Sequence, residues 1–368
     1  MSRVLHLKKI PGKPGEVYYP IIIDFFSSLQ IKNVPIPKPG DHEILIRLSA
    51  AALNHKDLFT RRHQYPAISF DNPLLADGCG TVVEAGPNVS RIDLLGKLVI
   101  LTPMRGWESD PVGPEGAWAT TGASRVTDVG AAQDYIVVHE SEVELAPAHL
   151  SPAEAAALPL VGLTGWRALM TKAGDAAAPG KNILITGIGG GVALQVLQFA
   201  VALGANVYVT SGDQAKIDKA EQMGAKGGVI YKDTKWEAAL KQLLPKGRPF
   251  IDAIIDGAGG DIVTKGVKVL RQGGIISQYG MTVAPKMNWS MVAVLGNMEL
   301  RGSTMGSKRE FREMIAFVSK HKIKPVVSRT VKGLDNIEGI DGLFAEMDQG
   351  KQFGKLVIEI DGGNSSKL

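Results

Sequence analysis

The sequence predicts an α/β protein: a doubly wound parallel sheet joined to a second, mostly β domain. Three observations carry this. Residues 1–150 hold short strand-like runs punctuated by Pro and Gly, strands and helices alternate regularly from Ser151 onward, and Lys181–Ser211 reads as strand, glycine turn, helix and strand in succession. A chain of 368 residues is too long for one ordinary core and suits two domains of middling size.

In the first part, Glu43–Leu48, Gly80–Glu84, Lys97–Leu101 and Gln133–Val138 have the apolar content of strands. Between Thr102 and Gln133 lies a long stretch of little periodicity. Its Trp107 and Trp118 suit either a lid or a loop packed on its own domain. Ser151 followed by Pro152 marks a helix start, and an apolar helical pattern runs on through Met170. The alternation continues with strands Ile183–Thr186, Val207–Thr210, Gly228–Ile230, Ile251–Asp256 and Ile275–Tyr279. Helices Val192–Leu203, Gln214–Gln222, Trp236–Leu244 and Ile262–Leu270 lie between them. A helix Lys308–His321, with Phe311, Ile315 and Val318 on one face, and a last strand Lys355–Ile360 are expected to return to the first domain. The expected division is 1–155 and 301–368 for the β-rich domain and 156–300 for the parallel sheet.

The glycine turn indicates a ligand. Ile183, Leu184 and Ile185 make a buried strand that Gly187, Gly189, Gly190 and Gly191 end abruptly, and Val192, Val196, Phe199, Ala200 and Leu203 recur at helical spacing until Gly204. The helix N-terminus would offer free amides and its dipole to a pyrophosphate. Glycines alone are a weak signal. Set between strand and helix, with Gly187, Gly190 and Ala193 in a G-x-x-G-x-x-A spacing and a second strand following, they predict dinucleotide binding. That second strand ends in Ser211 and Gly212, with Lys216 a helical turn on, where an NAD site usually places a carboxylate. Hydroxyl and cation favour the 2′-phosphate of NADPH. Asp213 dissents, and is read as the N-cap of Gln214–Gln222; a solvated helix lysine remains the other reading of Lys216.

Composition excludes several classes. Hydrophobic residues make up 45% and charged residues 21%, the net charge is only +4, and the 41 basic residues are spread, so no nucleic-acid footprint is expected. No run of ~18 apolar residues suggests a membrane span, and the first residues carry no apolar signal region. The single cysteine, Cys79 between two glycines, is expected to be a small buried hydrophobe. The seven histidines show no metal pattern; His55 and His63 flank Asp57 at a spacing that fits no single helical face. No metal site is expected.

Several longer motifs resemble the medium-chain dehydrogenase/reductase superfamily, in particular its zinc-independent quinone oxidoreductase and enone reductase branch. They are AALNHKDL, LLADGCGTVVEAGPNV, LSPAEAAALPLVGLTGWRAL, IDAIIDGAGG, LRGSTMGSKREF and QFGKLVIEI, which span nearly the whole chain in the family's order. The resemblance implies a Rossmann domain and a GroES-like catalytic domain, with the cofactor in the cleft between them. Zinc-dependent members hold their metal with a cysteine where this chain has Asn54, with a histidine and a glutamate where it has Ala76 and Asp77, and with a second cysteine near Val161. None of these is kept, and the four-cysteine lobe is missing.

Without a metal, the chemistry the resemblance implies is hydride addition from NADPH to a quinone or an α,β-unsaturated carbonyl. Asn54 would orient the nicotinamide ribose and substrate, though an Asn there also caps the following turn. Tyr65 matches a pocket tyrosine that supplies a proton or hydrogen bond, or else packs. Asp57 is read as structural. Gly189, Gly190, Gly191 and Val192 would approach the pyrophosphate, Ser211, Lys216 and Tyr231 the adenosine phosphate, Thr164, Gly280 and Ser303 the nicotinamide, and Lys355 the phosphates. Two alternatives stand: an enoyl-CoA or acyl-carrier reductase, and a non-catalytic, crystallin-like NADPH-binding protein. A homodimer through sheet edges near Ile275–Gly302 is also implied. Finally, Ser366, Lys367 and Leu368 spell the tripeptide read by the peroxisomal import receptor, presented on a polar Gly362–Ser365 spacer. The expected location is the peroxisome, or the cytoplasm if that tail is not native.

Overall fold

The computed structural model describes residues 1–8, 28–284 and 286–360. The Gly362–Ser365 spacer and the Ser366–Leu368 motif lie outside them. Two compact units make up the chain, one of Met1–Leu160 with Ser307–Leu368 and one of Val161–Gly306.

In the first unit a seven-stranded sheet is arranged around Glu43–Ala52, which pairs antiparallel with Asp77–Ala85, Tyr135–His139 and Lys355–Glu359. Lys355–Glu359 is parallel to its other neighbour, Val327–Lys332. Leu98–Leu101 and Val143–Leu145 extend the far edge. The buried face carries Ile44, Ile46, Leu48, Leu356 and Ile358, covered by Ile340, Leu343 and Phe344 of the helix Ile337–Asp348. Neither that helix nor Val327–Lys332 was legible in the sequence, because Gly339 and Gly342 dilute the helical pattern and the strand is mostly exposed. The Thr102–Gln133 stretch packs on its own unit. Trp107 is buried, the Glu115 carboxylate accepts the backbone N–H groups of Glu108, Ser109 and Asp110, and Lys308 bonds both Glu108 and Glu142. Those three amides hold the Glu115 carboxyl at about 2, well below the usual range.

The second unit is a six-stranded, all-parallel sheet. Its order in space is Gly227–Ile230, Asn206–Ser211, Asn182–Ile185, Ile251–Asp256, Leu270–Gln278 and Glu299–Gly302. Counted along the chain this is third, second, first, fourth, fifth, sixth, so the order reverses between the first and fourth strands. Ligands of such sheets bind outside the carboxyl ends at that reversal. The helices expected at Gln214–Gln222 and Lys308–His321 form with those bounds, and Asp213 caps the former through Ala215 N–H at 2.9 Å.

Two expectations are corrected. The helix begun at Ser151 does not continue to Met170: it stops at Ala156, and a new one starts at Pro159, since proline lacks an N–H and bars helical geometry from the residue before it. The helix expected over Ile262–Leu270 ends at Gly266, and Leu270 already opens the next strand, which pairs with Ile251.

Candidate active site

The glycine turn of the second unit has the backbone its sequence requires. Gly187 and Gly189 have φ of +63° and +117°, which L side chains rarely adopt. Gly190 is the N-cap of the helix Gly191–Ala202, and no side chain caps that helix. Amides at this terminus are therefore available to an anion, and Val192 lies in the first turn. Lys216 lies over the turn: a Cβ built on Gly189 would stand 2.9 Å from Lys216 Cδ. Burial pulls the Lys216 pKa down, a shift that the carboxylate of Asp213 opposes. Ser211 is buried at the end of its strand, its Oγ accepting Asp213 N–H at 3.2 Å. Tyr231 donates its backbone N–H to Ser211 O at 2.9 Å while its side chain stays half exposed, the hydroxyl beside Gly212. Gly189, Ser211, Lys216 and Tyr231 thus gather at one end of neighbouring strands.

At the ends of the fourth to sixth strands a second polar group forms. The buried Asp256 carboxylate accepts from Thr186 Oγ1, from Gly259 N–H at 2.7 Å and from Gln278 Nε2 at 2.6 Å. Burial pushes its pKa up, against these three hydrogen bonds. Gln278 Nε2 also donates to Gly280 O, and Ser303 N–H donates to Gln278 O at 2.8 Å. Ser303 Oγ and Gln278 Oε1 are buried without a hydrogen-bond partner, an arrangement proteins rarely leave unfilled. Thr164 Oγ1 lies 3.6 Å from Met305 Sδ.

The first unit holds the remaining candidates. Asn54 is the N-cap of the helix His55–Arg61, and its backbone N–H donates to Asp57 Oδ2 at 2.8 Å. Asp57 is thus structural. The Asn54 amide points elsewhere: Nδ2 donates to Asp77 Oδ2 at 2.9 Å, and Oδ1 accepts from Lys355 Nζ at 2.6 Å. Lys355 is 4% exposed and also bonds Asp77 Oδ2 at 2.8 Å, while Asp77 Oδ1 accepts Leu160 N–H at 2.9 Å. Removing one member of a buried pair of this kind costs ~3–5 kcal/mol. Lys56, equally buried, donates to Thr121 O and Gly122 O and lies 3.6 Å from Asp57. Burial lowers the Lys56 pKa and raises that of Asp57, and each one's charge opposes the other's shift. Tyr65 completes the cluster, its ring centroid 5.5 Å from Lys56 Nζ and its hydroxyl 3.5 Å from Thr120 Oγ1. Burial pushes the phenol's pKa up, so it is a neutral donor at physiological pH.

The structure therefore joins Asn54 to Lys355 and sets Tyr65 beside the neighbouring ion pair. Asp77 and Lys56 were not recognised as site residues from sequence. The available signal was a charge opening an otherwise largely apolar strand at each of Asp77 and Lys355, and charges buried there need partners.

Comparison with known proteins identifies the family. Residues 40–148 match the alcohol dehydrogenase GroES-like domain and residues 191–320 the zinc-binding dehydrogenase family. A zinc-type alcohol dehydrogenase-like protein of Leptosphaeria maculans is 56% identical over 98% of this chain and all of its own length. An acryloyl-coenzyme A reductase of Sulfurisphaera tokodaii is 27% identical over 90% of this chain and 96% of its own. The crystal structure of an NAD-dependent alcohol dehydrogenase superposes with a TM-score of 0.81 at 27% identity, covering 98% of this chain and 100% of that one. The protein is an oxidoreductase of the medium-chain dehydrogenase/reductase superfamily, related to the zinc-type alcohol dehydrogenase-like proteins.

Proposed function

We propose that the protein is an NADPH-dependent, zinc-free reductase of quinones or α,β-unsaturated carbonyls. The observation that carries the reading is the Lys355 ammonium, 2.6 Å from Asn54 Oδ1 and 2.8 Å from Asp77 Oδ2. A catalytic zinc needs three protein ligands of the Cys, His or carboxylate type. Here an amide replaces one such ligand, and the one carboxylate is already neutralised by a cation within hydrogen-bond distance. These residues do not fit the metal.

The residues do fit a dinucleotide. Gly191 and Val192 supply amides without a side-chain cap for the pyrophosphate, and Gly189 and Gly190, the latter donating its own N–H to Gly187 O at 3.3 Å, would let it approach the turn closely. Ser211, Lys216 and Tyr231 offer hydroxyls and a cation for a 2′-phosphate. Ser303 Oγ and Gln278 Oε1 supply unfilled polar atoms for a carboxamide. Bound NADPH supplies a hydride. The chain's own task is to hold the acceptor in line and to donate hydrogen bonds to the oxygen on which charge develops, a role open to the Asn54 amide and the neutral Tyr65 phenol.

An enoyl thioester reductase is the second reading, favoured by the likeness to an acryloyl-coenzyme A reductase. NADPH oxidation measured side by side with 9,10-phenanthrenequinone, a medium-chain enone and trans-2-enoyl-CoA separates the two. Fastest turnover of quinone or enone is expected. Turnover of the thioester alone would transfer the assignment to the second reading, and zinc-dependent oxidation of a simple alcohol would overturn both.

A further inference from the structure

Asn54 is held at almost every polar atom it owns. Its backbone N–H goes to Asp57 Oδ2 at 2.8 Å, and its backbone carbonyl accepts Asp57 N–H at 2.9 Å. Its side-chain oxygen faces the Lys355 ammonium at 2.6 Å, and one side-chain N–H faces Asp77 Oδ2 at 2.9 Å. Asp77 is fixed in turn by Leu160 N–H at 2.9 Å, and Lys355 by the strand Lys355–Glu359, which pairs with the strand that ends at Ala52. An amide can flip by exchanging oxygen and nitrogen, but a flip here would aim N–H at an ammonium and oxygen at a carboxylate. Both contacts would turn repulsive, so the orientation is settled by charge.

We infer that Lys355 and Asp77 are positioning residues that lock the Asn54 amide as a hydrogen-bond donor. One Nδ2–H remains uncommitted. Its acidity is raised because the ammonium draws electron density through the carbonyl to which the nitrogen is conjugated. Such a group recognises an acceptor-only oxygen, and best of all one gaining negative charge, as a carbonyl or quinone oxygen does when hydride adds across its conjugated system. This inference rests on the reductase reading above. It differs from a phosphate-binding role for Lys355, since the ammonium's hydrogen-bond partners, Asn54 Oδ1 and Asp77 Oδ2, are side chains of its own cluster.

The test joins two readouts. In protein labelled with 15N-asparagine, the Asn54 side-chain amide, identified by its loss in Asn54→Ala, should show two well-separated protons, one of them protected from exchange. In Lys355→Met the separation should shrink by about half and exchange should quicken about tenfold or more. An unchanged Asn54 signal in Lys355→Met overturns the inference, whatever the enzyme reduces. Kinetically, Lys355→Met should lower kcat about thirtyfold or more with the NADPH dissociation constant within about twofold of wild type, and in the Asn54→Ala background it should add little. Additive losses, or NADPH binding weakened tenfold with kcat intact, overturn it. If Lys355→Met does not melt cooperatively, Lys355→Gln takes its place with the same expectations. A wild type that reduces none of the panel sinks the reductase reading, while the amide signal still decides the orientation.

Discussion

Lys216 lies directly over Gly189. The lysine stem fills the space a Cβ at that glycine would need, 2.9 Å from Cδ, and so couples the first and second βα turns of the parallel sheet. Gly189 is doubly constrained, by this contact and by its φ of +117°. Gly189→Ala is expected to cost ~1–3 kcal/mol of backbone strain and to displace Lys216. In a fluorescence titration, NADPH affinity should fall by about tenfold or more while the protein still melts cooperatively; unchanged affinity would refute the role of this turn.

Cofactor selectivity follows from Ser211 and Lys216 at the end of the second strand. NADPH should bind at least about tenfold more tightly than NADH, or ~1.4 kcal/mol. Lys216→Ala should narrow that gap by weakening NADPH alone. Equal dissociation constants for the wild type, or tighter binding of NADH, would refute this selectivity.

Metal removal should have no effect. Because the Lys355 ammonium satisfies Asp77 and Asn54, prolonged EDTA or 1,10-phenanthroline treatment should leave activity intact, and elemental analysis should find well under one zinc per chain. Stoichiometric zinc lost together with activity would reverse the mechanism.

Cys79 should be inert in the native state. It is fully buried, and desolvation pushes its thiol up to about 12. At pH 8 about one thiol in ten thousand is ionised, and that one is shielded. A thiol reagent such as Ellman's should react only after denaturant is added; rapid labelling of folded protein would contradict this packing.

We propose a homodimer through the free edge of the parallel sheet. Among the described residues Glu299–Gly302 pairs on one side only, and the preceding helix exposes Met291, Val292, Val294 and Leu295, with Leu295 at 74%. An edge strand flanked by exposed apolar side chains invites a second copy. Sedimentation should give twice the chain mass, and the double substitution Val294→Asp, Leu295→Glu should give the monomer; a wild-type monomer at micromolar concentration would end the proposal.

What the sequence determined by itself was local or periodic. The glycines between Ile185 and Val192 announced their turn because L side chains rarely adopt the positive φ of Gly187 and Gly189, Asp213 announced a helix start through its side-chain acceptor, and the apolar runs of the parallel strands announced burial on both faces. The break at Pro159 was legible in principle but was outweighed by the apolar pattern around it.

Only the tertiary structure decided the polar cluster. Lys355 and Asn54 lie 301 positions apart, and Lys355 and Asp77 lie 278 apart. Nothing in the spacing of residues along a chain says which charge meets which amide. That meeting depends on the register by which Lys355–Glu359 and Asp77–Ala85 flank the same central strand, where Ala52 is paired with both Val357 and Asp77. Slipping either strand by one residue would turn its side chains to the opposite face, leaving each charge in apolar surroundings without its partner. The cost of burying charges unpaired helps to select this register, and the register in turn places the Asn54 amide.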